Sequence, residues 1–458
     1  MTKIILIGSL LFGSILCKAQ LNPAITSFLQ NTTITGTYYV KGNSIAQSNG
    51  ILINCQRVAY SADNVYITTT GVPAYPTGPF LDGNPSNATN QNAIFKLPLN
   101  PVQNTGTPTA TTGGNIGVFI NGVALFDYRD GVAWNANTNA LCGGPGNPPC
   151  PGGMGTTQNW NRDAIPAEKA GFDCSKAHPA MGNYHHHQNP SAFKLDINVI
   201  STICNLYDAD GLYAIDSTQH SPLIGFAYDG FPIYGAYGYK NVDGTGGIVR
   251  IKSSYSLRTN MTVRNTNPAG TMVTNGAPIN ATYPLGYFRE DYQYLATSAA
   301  TPDYLDEHNG RFCITPEYPN GIYCYFATVD ANWNSTYPYV VGPTFYGVYA
   351  NRKVTSVTEA TTVYNSITGI ANNLKETFNV TIFPNPSNDF IAIQVKGLNK
   401  EKLTVELYDA TGTLIQKSFI NAGATNTYLD TRTLYSGNYL VKISGVNVLS
   451  SKKLVIIK

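Results

Sequence analysis

The 458-residue sequence predicts a mostly β protein: an internally duplicated β-rich domain followed by a small Ig-like β-sandwich. Three observations carry that expectation. Two Asn-Gly or Asp-Gly turns each join a pair of short apolar runs, in Gly117–Phe126 and again in Gly225–Tyr234, and such dipeptides are the strongest local hairpin signal. Each hairpin is followed downstream by a Gly-x-Tyr strand, Gly182-Asn183-Tyr184 in the first copy and Gly321-Ile322-Tyr323 in the second. Near the C-terminus, Leu403, Val405 and Leu407 alternate with polar neighbours, the period-two pattern of a half-buried strand.

Taken in order, the chain begins with a secretory signal. Lys3 supplies the positive charge, Ile4 to Leu16 is an uncharged apolar stretch, and Cys17-Lys18-Ala19 ends in a small residue. This places a signal peptide at 1–19 and the mature start at Gln20. The apolar stretch is shorter than the roughly 20 residues that a bilayer requires, so the mature chain is expected to have no transmembrane segment. The duplicated domain then spans 20–350, with repeats at about 117–187 and 225–326. Both central residues of each turn are expected at positive φ. Only short stretches such as Asp163 to Ala170 read as helix. Residues 351–377 are expected to form a linker, and the sandwich occupies 378–458.

Composition excludes some functions. Lys and Arg number 29 against 27 Asp and Glu, so no basic excess exists to displace phosphate counterions and no nucleic-acid partner is expected. Charged residues are 12%, about half the usual quarter. With 31 tyrosines, 43 glycines and 27 prolines, this is the composition of an exported β protein. Seven cysteines remain beyond Cys17, and an odd number leaves at least one thiol unpaired. Cys142 and Cys150 bracket a Gly/Pro-rich loop that a short disulfide would staple.

Chemistry concentrates at the histidines. Four of six, His178, His185, His186 and His187, lie within ten residues. Side chains alternate along a strand, so His185 and His187 share a face and His186 points away. Two neutral imidazoles at that spacing suit copper or zinc. His178, across the turn, can return as a third ligand, and His308 or Glu307 of the second copy can complete a site between the halves. The second copy has Cys324 and Phe326 in place of the histidine pair. If the site is catalytic, Asp229, Asp306 or Glu307 is the expected acid or base. Asp208-Ala209-Asp210-Gly211 lacks the further oxygen ligands of a calcium loop, so calcium is not expected. The alternative function is a surface module that binds glycan or protein without metal through tyrosines and Trp134, Trp160 and Trp333, although core packing explains most of these aromatics. No G-x-S-x-G elbow supports a serine hydrolase.

Two resemblances follow from these residues. Val380-Thr381-Ile382-Phe383-Pro384-Asn385-Pro386, Leu407-Tyr408-Asp409 with Gly412, Leu434 through Val441 and Lys452 through Lys458 resemble the type A sorting domain of the type IX secretion system. That likeness implies export through periplasm and outer membrane, handling by the type IX machinery and its sortase, and a secreted or cell-surface location. Asp173-Cys174, His178-Pro179, Gly182, Tyr184-His185-His186-His187, Ile224 through Gly235, Leu305 through Gly310 and Tyr337 through Gly342 resemble the bacterial YHYH-domain proteins over roughly Val58 to Gly347. This sequence has His186 where the family name has tyrosine. The likeness implies a fold and a place to look, and no activity.

Overall fold

A computed structural model describes residues 21–40, 43, 45–80, 87–153, 157–192, 211–298, 300–350, 352–365, 379–396, 402–409, 413–445 and 449–458. The expected signal peptide, Cys204 and Asp208 to Asp210 lie outside the described residues. The chain divides into two compact units, Met1–Asn365 and Ser366–Lys458. Both are built from strands, and the mostly β class holds.

The first unit is organised by an eight-stranded sheet. Its strands in chain order are β1 (Asn115–Phe119), β2 (Ala124–Phe126), β3 (Ala177–Ala180), β4 (Asn183–His186), β5 (Leu223–Ala227), β6 (Pro232–Tyr234), β7 (Gly310–Cys313) and β8 (Ile322–Phe326). Their order across the sheet is β3-β4-β2-β1-β5-β6-β8-β7, a palindrome about the antiparallel β1–β5 pair. In each half a hairpin supplies the inner strands, and the second strand of a later hairpin pairs in parallel with it, β4 on β2 and β8 on β6. The registers repeat. His186 lies opposite Leu125, and Tyr325 lies opposite Ile233. In the edge hairpins His178 faces His185 as Arg311 faces Cys324.

The local chemistry that makes each half is also repeated. Asp173 Oδ1 accepts from the N–H groups of Ser175 and Ala177, and the Tyr184 hydroxyl donates to its Oδ2 at 2.8 Å. Asp306 Oδ1 accepts from His308 and Gly310, and the Tyr323 hydroxyl donates to it at 2.8 Å. Lys176 and Asn309, three residues after each aspartate, both take positive φ, at 65° and 63°. These are two copies of one Asp-anchored turn leading into an edge strand.

The Asn-Gly and Asp-Gly turns differ from expectation. Gly122 and Gly230 have positive φ, but Asn121 and Asp229 do not. Phe119 N–H bonds Val123 O and Gly122 N–H bonds Phe119 O, a pattern repeated by Ala227 with Phe231 and Gly230. Each loop therefore has three residues, a tight turn closed by a left-handed glycine, and only the glycine needs φ above zero. Asn121 and Asp229 instead use their side chains, accepting from the N–H groups of Val123 and Phe231.

A second, five-stranded sheet shares the core of the first unit. Its order is Lys353–Val354, Ala93–Pro98, Asn64–Thr69, Cys55–Tyr60 and Thr362–Tyr364. Val58, Val65, Ile67, Phe95 and Leu97 are buried in one cluster with Val118, Phe119, Phe226 and Ile233. The stretch expected as a linker from 351 thus begins inside this unit. Residues 353–354 and 362–364 cap both edges of the sheet and satisfy backbone groups that would otherwise be open. Cys142 and Cys150 form a disulfide in the loop expected to need one.

In the second unit a three-stranded sheet (Asn379–Phe383, Phe390–Lys396, Asn426–Asp430) and a four-stranded sheet (Leu403–Tyr408, Leu414–Ile420, Gly437–Ser444, Leu449–Ile456) bury one core. Leu403, Val405 and Leu407 point into it, all fully buried, with Ile391, Ile393, Val441 and Ile443. That is the sandwich the alternation predicts.

Candidate metal centre

Strand alternation on β4 divides its side chains between two environments. Tyr184 and His186 point one way. His186 is fully buried, its Nε2 is 2.8 Å from the Tyr75 hydroxyl and its Nδ1 is 3.2 Å from Lys176 O. Burial pushes its pKa down to about 3, so it is a neutral core residue. His185, and His187 just beyond the strand end, point the other way.

On that face three imidazoles converge. The cross-strand register places the His178 ring beside His185, with ring centroids 4.8 Å apart. One ring nitrogen from each of His178, His185 and His187 lies within 4.8 Å of the others. His185 Nε2 and His187 Nε2 are 3.1 Å apart. Phe126 stacks on His185 at 3.8 Å, and Phe172 covers His178 at 4.9 Å, which walls the rings with hydrocarbon.

A carboxylate completes the group. Helix α1 (Ala164–Glu168) is capped by Asp163, whose Oδ1 accepts from Ile165 N–H at 2.9 Å. It ends with Glu168 against the cluster. Glu168 Oε2 is 3.2 Å from His178 Nε2 and 3.4 Å from His187 Nε2. Both approaches are ion-pair contacts to a buried oxygen. Burial acts to raise this carboxyl, but His178 and His187 outweigh it and hold it below the usual carboxylate range.

Outer hydrogen bonds set which nitrogens carry protons. His185 Nδ1 lies 2.8 Å from Asn183 O, and His187 Nδ1 lies 2.6 Å from Asp127 O. Carbonyl oxygens only accept, so both Nδ1 atoms donate, and in the neutral ring the lone pair is on Nε2. Burial, then the neighbouring His187 and His178, keeps the His185 pKa far below the ordinary range, so that ring is neutral. The His185 Nε2 lone pair faces His187 Nε2 at 3.1 Å, a separation that suits either a shared cation or an Nε2–H of a protonated His187. Backbone carbonyls that fix the tautomer of a ligating histidine are the usual outer support of a metal site.

Three of the separations suit such an ion. Four ligands at zinc–nitrogen distances of 2.0–2.1 Å around a tetrahedron are about 3.3 Å from one another. The 3.1, 3.2 and 3.4 Å contacts are close to three edges of that figure, while the three imidazole nitrogens spread over up to 4.8 Å, so a tetrahedral ion would have to draw them closer together. Among the described residues, no other group of three His, Cys, Asp or Glu side chains converges in this way.

The remaining sequence candidates lie elsewhere. His308 precedes β7, at the opposite edge of the eight-stranded sheet from β3, with its Nδ1 2.8 Å from Thr344 Oγ1. The symmetry axis passes between β1 and β5, so equivalent positions fall at opposite edges and His308 does not meet His185. Glu307 is exposed beside His308. Asp229 is buried and accepts from the Tyr325 hydroxyl at 2.5 Å and Gly347 N–H at 2.8 Å. Burial raises it to about 6. Asp306 is the turn anchor described above. These acids hold the second half together and are not part of the histidine cluster. Trp134 and Trp160 are core residues, and Trp333 donates to the Tyr237 hydroxyl at 3.2 Å. Glu168 was absent from the sequence candidates. Its only signal is the short helical stretch at 163–170 leading towards His178.

Comparison with known proteins places two families on the chain. The family described as YHYH protein matches residues 94–339, and the secretion system C-terminal sorting domain matches residues 381–458. No curated protein matches. The sorting domain marks the chain for type IX secretion, to the cell surface or the medium. No helix of the described residues is long and apolar enough to cross a membrane.

Proposed function

The chain belongs to the YHYH protein family, and from that premise we propose that it is an exported metal-binding protein holding copper or zinc through His178, His185, His187 and Glu168. One observation carries this reading: the Nε2 atoms of His185 and His187 face each other at 3.1 Å, with their Nδ1 atoms turned to Asn183 O and Asp127 O and a buried Glu168 oxygen beside them. Three imidazoles and one carboxylate form a set that both zinc and copper(II) accept. The imidazoles stand on paired strands and in a short strand extension. The carboxylate stands on a one-turn helix with a quarter of its side chain exposed, which makes it the ligand that water or a substrate can displace. The second unit serves delivery, and a sortase of the type IX pathway removes it at the surface.

Metal analysis of the purified chain, without a histidine tag, tests the reading. Near one equivalent of copper or zinc is expected in the wild type and none in the His185→Ala/His187→Ala variant. Absence of metal in the wild type, after reloading at neutral pH, would refute it.

A further inference from the structure

The pseudo-symmetry identifies what the second half has built where the first half has its histidines. By register, Arg311 replaces His178 and Cys324 replaces His185. The Arg311 guanidinium donates to the carbonyls of Tyr239, Lys240 and Pro302, so it is held by backbone and points away from any ion. Cys324 is fully buried. Its neighbour on the same face is Cys313, which lies opposite Ile322, two residues from Cys324 along β8. The two are diagonal neighbours across the β7–β8 pair, within side-chain reach of each other, and both are free thiols in the structure. Cys55, the other free thiol among the described residues, has no sulfur neighbour there and lies near Ile120 O at 3.7 Å.

We infer that Cys313 and Cys324 become a disulfide in the exported protein, joining the edge strand β7 to β8. The sorting domain sends the chain through the periplasm, an oxidising compartment in which neighbouring thiols are paired. The oxidant is a disulfide-bearing thiol oxidoreductase. The Cys313 thiolate attacks its disulfide and expels one thiol, and the Cys324 thiolate then attacks the mixed disulfide and expels the second. One S–S bond forms in the chain and one is reduced in the oxidant, whose two thiols take up the two protons. Both sulfurs are shielded in the folded unit, so the reaction belongs to the stage before β7 docks. The two edge hairpins are then clipped by different means. In the second half a covalent bond takes the place that the ion holds in the first. The inference rests on export and register, and stands whether or not the histidines bind metal.

The test is alkylation of the exported chain with iodoacetamide during denaturation, without reductant, followed by proteolysis and mass spectrometry. Expected is a linked Cys313–Cys324 peptide pair, two hydrogens lighter than its separate parts, while Cys55 is alkylated and shows that the reagent reaches core thiols. In Cys313→Ser, Cys324 is expected to become alkylated as Cys55 is. Alkylation of both Cys313 and Cys324 in the wild type would overturn the inference. So would a Cys324 that stays protected in Cys313→Ser, because its partner would then be another cysteine. Labelling after denaturation makes both readings independent of the variant's stability.

Discussion

Replacing Glu168 by glutamine keeps the shape of the side chain and removes the only negative charge in the proposed ligand set. The carboxylate oxygen is 3.2 Å from His178 Nε2 and 3.4 Å from His187 Nε2, so it is the carboxylate that an ion held by those rings would meet. An interaction of this kind with a charged partner is worth about 1.5–3 kcal/mol net, which corresponds to roughly a 10- to 150-fold weaker Kd. The assay is competition for zinc or copper(II) against a chromophoric chelator at pH 7, with the melting temperature of the metal-free variant confirming its fold. The double variant His185→Ala/His187→Ala, which loses two ligands, is expected to show no stoichiometric binding. If Glu168→Gln binds within twofold of the wild type, the carboxylate is not a ligand and only pairs with a protonated ring. Full binding by the double variant would remove the site altogether.

Three further outcomes are expected. Free metal at 100 times Kd stabilises the folded unit by about 2.7 kcal/mol, which for about 2 cal/mol/K of unfolding entropy per residue over Met1–Asn365 raises the midpoint by about 4 °C. Calorimetry should show this rise in the wild type and not in the double variant. Asp163 is fully buried, and burial pushes it up to about 8 against the bonds from Tyr339 and Ile165, while Asp173 is raised to about 7 in the same way. A carboxyl raised in the folded state holds a proton that the unfolded chain releases above about pH 4, so its contribution to stability is complete below that and lost as pH rises towards 8. The midpoint should fall between pH 5 and 8 and the fall should be shallower in Asp163→Asn; a flat profile in both would contradict the assignment. Arg264 is buried on Asp291 through two bonds of 2.7 and 2.8 Å, and Arg264→Ala strands that carboxylate at a cost of about 3–5 kcal/mol. Urea titration measures the loss, and metal stoichiometry is expected to stay at the wild-type value.

What the sequence determined by itself is what backbone stereochemistry dictates locally. Leu403, Val405 and Leu407 alternate because successive strand residues face opposite sides, and the same rule puts His185 and His187 together and turns His186 into the core. The two glycine hairpins are visible because glycine takes the closing left-handed residue at no steric cost, and their repetition exposes the duplication. The sequence misjudged Asn121 and Asp229, because a three-residue loop leaves them at negative φ and uses their side chains. Tertiary structure decided the rest. Glu168 is ten residues from His178, on a helix without a strand's period, and only the folded path of the chain brings its side chain to the imidazoles. His308 resembled a fourth ligand until the strand order put the two halves back to back through β1 and β5, with their edge hairpins at opposite ends. Residues 353–364 resembled a linker until they closed both edges of the five-stranded sheet. Which face a side chain takes follows from its neighbours along the chain. Which side chains meet depends on the order in which distant strands satisfy their backbone hydrogen bonds, and that order is a property of the whole folded unit.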